Sequence, residues 1–495
     1  MVKIFPQQWR QIHPFLTPMS TDQYYAQLAS RVAEILNGSF LKDAFETTED
    51  MKDTAIRITA WFEDIISNLG IWRTVNEECS KRHGKPLPFY DTDSYFPNEP
   101  NIEDINLLLW DAIETLHPDR FMNPENPAII EAAVALCKLF DEEFQTAPET
   151  EELYDFLHDE QQLQDYWHIR KVCDWLSMRS YISQRQSDKW RELLEESTED
   201  NDSPMDEEMI SYSILTDLTF RGKHNLLSLT APQWLARITK NQEFNDLQFS
   251  TPTYYLLIGE NATQFLMRNM ATDEELAIEK DSFSDDEFVS RYPKVGDTVF
   301  FCSLVRFNGR YYQCGIMAHN QKSNIKQDLI DEEKRKIRLT EKGSHALFLK
   351  ASGGKPVVFC KDDNEMLQFY RKMQIPLTPD SIAEFRRLFA DCKNGIALVG
   401  DLYGGISIIP ELAYCIKSDD NPFYDQQKAA QHAHALLLDP NAISYGAACA
   451  LIDYNLLPDA KLNSLNGDEY GRQFLHTHAQ FITDYLFSKC REYDL

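Results

Sequence analysis

Apolar side chains recur at three- and four-residue spacing through most of the first 190 positions, the period of helices with one face against a core. Tyr25, Leu28, Ala29, Val32, Ile35 and Leu36 form one stripe, with Thr21 or Asp22 placed to cap its start and Asn37-Gly38 to end it. Ile58, Trp61, Phe62, Ile65 and Ile66 form a second, from Lys52 to Leu69, and these two helices are expected to pack together. The pattern continues over Ile102–Leu116, Ala128–Phe144 and Glu151–Trp190, the last longer than one typical helix. Ahead of them, residues 1–18 hold Pro6, Pro14 and Pro18 and read as an ordered surface arm held by Phe5, Trp9 and Phe15. Residues 210–249 are helical again, with Pro232 near a helix start at Thr230, where its missing N–H costs little.

After residue 250 the pattern changes. Tyr254–Ile258 reads as a short buried strand. The clearest local signal is KVGDTVFFCSLVRFNGRYYQCGIMAHN, residues 294–320. Asn308-Gly309 supplies the positive φ values of a two-residue hairpin turn between Thr298–Phe307 and Tyr311–Met317, both rich in β-branched and aromatic residues. Alternation puts Phe301, Ser303, Val305 and Phe307 on one face and Phe300, Cys302, Leu304 and Arg306 on the other. Both faces are largely apolar, which places the hairpin in a core and not along a cleft. The acidic stretch Asp273–Glu287 reads as helix or loop, and Lys322–Leu339 as a charged amphipathic helix.

Between 345 and 410 the strand candidates are His345–Lys350, Pro356–Cys360, Gly395–Gly400 and Gly405–Ile409, with helices at Asn364–Met373 and Asp380–Cys392. The turns Ser352-Gly353-Gly354 and Tyr403-Gly404-Gly405 suit antiparallel hairpins. Helical patterns return at Glu411–Lys417, Gln426–Leu438, Asn441–Tyr454 and Asp468–Ser488. The fold class is α+β, predominantly helical. Its expected organisation is a helical domain over 1–194, an acidic linker or mobile loop over 195–209, a helical segment over 210–249, a central α+β domain with mixed or antiparallel sheet over 250–410, and a helical C-terminal region over 411–495.

Composition narrows the partners. The net charge of −30 is uneven: residues 1–250 carry 45 Asp plus Glu against 22 Lys plus Arg. An acidic surface repels phosphate backbones, so nucleic acid is excluded as a partner of the N-terminal half; Lys334–Lys342 leaves room for a basic groove in the second. EESTEDNDSPMDEE, residues 195–208, holds eight carboxylates and no base, the basis for the linker. The ten cysteines form no CxxC pair and read as buried reduced thiols. The N-terminal stretch has no continuous apolar core and no window is apolar enough to span a membrane, which points to the cytoplasm and away from membranes.

Several blocks carry a resemblance: FEDIISNLGIW at 62–72, HGKPLPFY at 83–90, NIEDINLLLW at 101–110, NPFYD at 421–425 and NLLPDAKLNSLNGDEYGRQF at 455–474. In these the chain resembles, over nearly its full length, a family of uncharacterised proteins from gut bacteria. The resemblance implies a grouping, with no activity, cofactor or site residue to carry over.

The motifs that suggest chemistry each meet a structural counter-argument. Ser352-Gly353-Gly354-Lys355-Pro356 invites a phosphate loop, but proline stands where a P-loop has Ser or Thr, and a strand follows in place of a helix. His432/His434 and His476/His478 have HxH spacing, which on helices points the rings about 200° apart. One histidine of each pair meeting Asp484 is the remaining metal arrangement. Asp459-Ala460-Lys461 has D-x-K spacing but lies between helices, without a strand to aim it. Neither G-x-S-x-G nor H-E-x-x-H occurs. The first reading is therefore a non-catalytic protein-interaction or scaffold protein, without metal or cofactor, binding a protein partner through its helical or acidic surface. The alternative is a hydrolase or other enzyme with a site between the central β region and the C-terminal helices. Arg306, Arg310, His319, Lys355 and Asp401 are its candidate residues, nominated by position and polarity.

Overall fold

In the computed structural model the helical period of the N-terminal half becomes α1 (Pro6–Trp9), α2 (Asp22–Gly38), α3 (Thr48–Ser67), α4 (Ile71–His83), α5 (Ile102–Leu116), α6 (Pro127–Glu143), α7 (Glu151–His158), α8 (Tyr166–Met178), α9 (Gln184–Glu199), α10 (Glu207–Arg221) and α11 (Ala231–Ile238). The structure describes residues 2–117, 121–199, 207–283, 293–342, 344–373, 377–389, 392–403, 405–438, 442–464 and 467–487. The chain divides into two units, Met1–Lys334 and Arg335–Asp494.

Local chemistry sets the helix ends. α3 starts on a Thr47/Asp50 capping box, and α11 on a Thr230/Gln233 box with proline in the first turn, as its sequence predicts. α3 stops at Asn68 in the left-handed region, and the chain turns back so that the buried Asp64 carboxylate accepts from the amides of Gly70, Ile71 and Trp72 at the start of α4. Burial nevertheless holds the Asp64 carboxyl above its ordinary range. α2 and α3 pack together, and Phe140, stacked on Phe62 and edge-on to Trp61, joins α6 to α3. The expected cap of α2 is not made. Thr21 Oγ1 instead reaches Thr150 Oγ1, and Asp22 accepts from Met19 N and Arg10. In the N-terminal arm Trp9 is fully buried and Phe15 packs on Phe156, whereas Phe5 is 52% exposed, with Lys3 Nζ 4.8 Å over its ring.

Among the described residues six strands complete this unit: β1 (Gln248–Phe249), β2 (Thr253–Glu260), β3 (Gln264–Asn269), β4 (Glu275–Glu279), β5 (Thr298–Phe307) and β6 (Arg310–Gln321). β5 and β6 form the expected hairpin, closed by Phe307 opposite Arg310, with Asn308 and Gly309 at positive φ. Ladders run β5–β2–β3–β4–β6 and back to β5, so the sheet closes on itself as a small barrel, with β1 added beside β2 on β5. Phe265, Met267, Ile278, Phe300, Cys302 and Leu304 fill it. Val305, Phe307, Tyr312 and Cys314 are buried as well, with Tyr312 stacked on Tyr166 and α10 packed on β6, so the hairpin is covered on both faces. Gly315, at φ +72°, lets Thr216 approach at the hairpin's irregular register. The helix-or-loop expectation for Asp273–Glu287 is overturned over Glu275–Glu279, which is strand. Ile278 enters the barrel while Glu275 and Glu279 pair outward with Arg268 and Gln264, an alternation that the acidic composition obscured. Residues 284–287 lie outside the described residues.

The acidic run remains helical to Glu199 and resumes as α10 at Glu207; residues 200–206 lie outside the described residues. α12 (Gln327–Lys342) carries the cationic run 334–342, whose side chains from 335 on lie outside the described residues.

The second unit contains α13 (Ser344–Ser352), α14 (Asp363–Lys372), α15 (Pro379–Phe389), α16 (Gln426–His432), α17 (His434–Leu437), α18 (Tyr445–Asp453) and α19 (Asp468–Phe487). Its antiparallel sheet has the order β7 (Val357–Cys360), β8 (Ile396–Gly400), β9 (Ile406–Pro410). Phe348, Met366, Phe369 and Tyr370 pack on Ile396 and Leu398 to form its core. Three expectations fail here, the last of them in part. His345–Lys350 is helix, because Phe348 and Ala351 are buried three residues apart while Leu347 faces out. Ser352-Gly353-Gly354 is accordingly no hairpin turn: both glycines have positive φ, and Gly354 N–H closes the helix end on Leu349 O at 2.7 Å. Within Glu411–Lys417 only the turn Ala413–Cys415 is helical. Architecture overall is α+β and predominantly helical, with strands in the middle of the sequence.

Candidate binding site

α8 organises a cavity on the N-terminal helices. Asp165 caps it by accepting from His168 N, and Ile169, Val172, Cys173 and Leu176 bury one face. Arg170 is also buried and fixes its neighbours: Nε donates to both Asp174 oxygens at 2.8 and 2.9 Å, Nη2 to Thr216 Oγ1, and Nη1 meets the Cys314 sulfur. Thr219 adds a hydroxyl donor to Asp174. Burial pushes the Cys314 thiol up, with Arg170 opposing it.

The side of α8 bearing His168, Lys171, Asp174, Trp175 and Met178 borders a cavity of about 680 Å³. Phe15, Phe156, Trp175, Met178 and Leu215 supply its apolar wall, and the arm residues Pro14–Thr17 line it as well. Phe15 meets Phe156 edge-on at 5.2 Å, and Phe156 meets Trp175 at 6.0 Å. The arm is held by its own carbonyls. Trp175 Nε1 donates to Ile12 O, and Arg179 donates to Gln11 O and Arg10 O. Burial pulls Arg179 below the usual guanidinium range. Below the arm His13 Nε2 lies 2.7 Å from Glu63 Oε2, each side chain 1% exposed, and Thr150 Oγ1 donates to Glu63 Oε1. His168 Nε2 is engaged with Phe156 O. Lys171 is exposed and makes no ion pair among the described residues.

The residues nominated from sequence lie elsewhere. Arg306 and Arg310 are exposed near the hairpin turn, Arg310 at 4.0 Å from Glu279. His319 pairs across the hairpin with Phe300, six residues along β5 from Arg306, a separation of roughly 20 Å at strand rise. Lys355 and Asp401 belong to the second unit. Lys355 is exposed and lies 2.9 Å from Asp420. Asp401, at the end of β8, is buried and accepts from Tyr403 N at 2.7 Å and from Ser444 Oγ at 2.5 Å. Of the histidine pairs, His432 is bonded to Tyr414, His476 lies 3.4 Å from Asp459, and His478 is bonded to Tyr470; the His434 side chain lies outside the described residues. Asp484 accepts from Tyr445 and Gln480. Asp459 and Lys461 lie on a loop between α18 and α19. Among the described residues no three His, Cys, Asp or Glu side chains gather as a metal site, and no helix is long and apolar enough to cross a membrane. Nine described cysteines are free thiols, eight of them buried. The cavity residues went unselected because only the apolar stripe of Glu151–Trp190 was read; His168, Lys171 and Asp174, spaced by three on its other side, were the available signal.

Fold and cavity together define a predominantly helical α+β protein with an aromatic-walled cleft on its N-terminal helices. The chain belongs to the family described as Protein of unknown function (DUF3843), whose model matches residues 3–274 and 311–488. No curated protein and no solved structure matches the chain.

Proposed function

We propose that this chain is a non-catalytic interaction protein of the cytoplasm that takes a segment of a protein partner into the cleft between α8 and residues 14–17. The occupant is an aromatic or branched apolar side chain next to an acidic residue. One observation carries this reading: the cleft's wall is aromatic and aliphatic, while its potential catalytic groups are already engaged, His168 with Phe156 O and Asp174 with Arg170 and Thr219. Lys171, which makes no ion pair among the described residues, pairs with the partner's carboxylate, and Leu16, 82% exposed on the lining of the same cleft, extends the apolar surface. A benzophenone side chain placed at Leu16 tests it. Irradiation of native lysate is expected to give a discrete protein adduct that Lys171→Glu reduces by about tenfold, the scale of one charge-assisted contact. A chain that stays monomeric and unlinked, or an adduct indifferent to Lys171→Glu, would refute the proposal.

The hydrolase alternative has one observation in its favour, the exposed Ser444 hydroxyl donating to the buried Asp401 carboxylate where β8 meets α18. Ser444 also caps α18 by accepting from Ala447 N, which accounts for the same geometry structurally. Labelling of Ser444 by a fluorophosphonate would favour the enzyme; an unlabelled, folded chain would favour the cap.

A further inference from the structure

A second cavity, of about 250 Å³, adjoins the apolar cleft and shares Met178 and Arg179 with it, but its chemistry is different. Arg57, Arg179 and Arg191 line it together with Asp53, in a half of the chain that carries a large negative charge, and Arg191 also lies 2.6 Å from Asp188 at the rim. Arg57 is buried and anchored: Nε donates to Tyr181 O at 2.9 Å and Nη2 to Asp111 at 2.8 Å. Its Nη1, like that of Arg179, has no hydrogen-bond partner among the described residues. The serines of the lining use their hydrogens inward. Ser180 donates to Leu176 O, Ser183 to Ser180 O and Ser187 to Met178 O, so what they offer the cavity is lone pairs. The lining Gln184 has a buried Oε1 with no partner, a further acceptor in search of a donor.

Cationic forks together with neutral acceptors fit a ligand that carries a carboxylate and its own hydrogen-bond donors. We infer that this cavity binds a small 2-hydroxy or 2-amino carboxylate, its carboxylate on the guanidiniums and its hydroxyl or ammonium on the serine oxygens and Gln184 Oε1. The volume is large enough to admit a molecule of that size. This inference is independent of the protein-binding reading, since it concerns a different cavity and a free small molecule.

The test uses the full chain with L-malate, L-serine, succinate and glycerol, read by calorimetric titration and by the shift in melting temperature against sodium chloride of matched ionic strength. L-malate or L-serine is expected to bind saturably and raise the melting temperature. Succinate, which lacks the donor, should bind about tenfold more weakly, and glycerol, which lacks the carboxylate, not measurably. Arg191, 63% exposed, can change without disturbing the core; Arg191→Gln should weaken L-malate by tenfold or more while the unliganded melting temperature stays put. Gln184→Leu, which alters no charge, should weaken L-malate more than succinate. Absence of binding by both L-malate and L-serine, equal binding of succinate, or an Arg191→Gln variant that binds like wild type would each overturn the inference.

Discussion

Asp104 offers a sharp test of the buried polar network. It is wholly buried on α5, and burial, opposed by hydrogen bonds from Tyr95 and Asn101, pushes its carboxyl up to about 7. Tyr95 Oη lies 2.8 Å from Asp104 Oδ1 and 2.8 Å from Asn76 Oδ1, and one phenolic hydrogen cannot serve two acceptors. Protonation of Asp104 removes the conflict: the acid donates to Tyr95, Tyr95 donates to Asn76, and Asn101 Nδ2 donates to Asp104 Oδ2 at 3.2 Å. The folded protein thus holds this proton more tightly than the unfolded chain does. Stability from Asp104 is therefore full below pH 3.8 and is lost as pH rises through about 7. At about 1.4 kcal/mol per pH unit the loss amounts to about 4 kcal/mol at pH 8, of which about 2 kcal/mol falls between pH 5.5 and 8. Asp104→Asn copies the protonated acid, its Nδ2 on Tyr95 and its Oδ1 facing Asn101. The variant should be the more stable protein at pH 8, by up to about 4 kcal/mol, and its pH profile flatter by about 2 kcal/mol between 5.5 and 8. All eight tryptophans lie at or before Trp234, so urea titrations followed by tryptophan emission report the first unit alone. Parallel profiles for the two proteins, or a variant less stable at pH 8, would refute the reasoning.

Two further substitutions probe the other networks. Glu63→Ala leaves His13 and Thr150 buried without their acceptor, and should cost about 3 kcal/mol in the same emission assay while exposing Arg10 to trypsin; an unchanged midpoint would show that the arm is anchored by Trp175 and Arg179 alone. Gly446→Ala separates tertiary contact from propensity. Its Cβ would fall 1.8 Å from Asp401 Oδ1 and displace the carboxylate from Ser444 and Tyr403. A loss of about 2 kcal/mol is expected by calorimetry, with tryptophan emission unaffected, where helix propensity alone predicts a gain of about 1 kcal/mol.

What the amino-acid sequence determined by itself is whatever rests on short-range chemistry. The stripes of α2, α3, α5 and α6, the helix start at Thr230 and the Asn308-Gly309 hairpin are legible because apolar period, first-turn proline and positive-φ residues act within a few positions. It misled where two periods compete or where composition hides alternation. The run 345–350 carries apolar residues that suit either period, and only the fixed positions of Ile396 and Leu398 make Phe348 and Ala351 the buried pair; Glu275–Glu279 is acidic, and only β3 gives its alternation a core to face. The cavities depended entirely on tertiary structure. Residues 8–17 meet 156–191 because Glu63 holds His13, and because Trp175 and Arg179 grip the carbonyls of residues 10–12. Contacts that join positions some 160 residues apart leave no periodic mark on either segment. Asp401 was nominated by polarity, yet Ser444 and Gly446, which give its carboxylate a definite place, came to it only through the packing of α18 on β8.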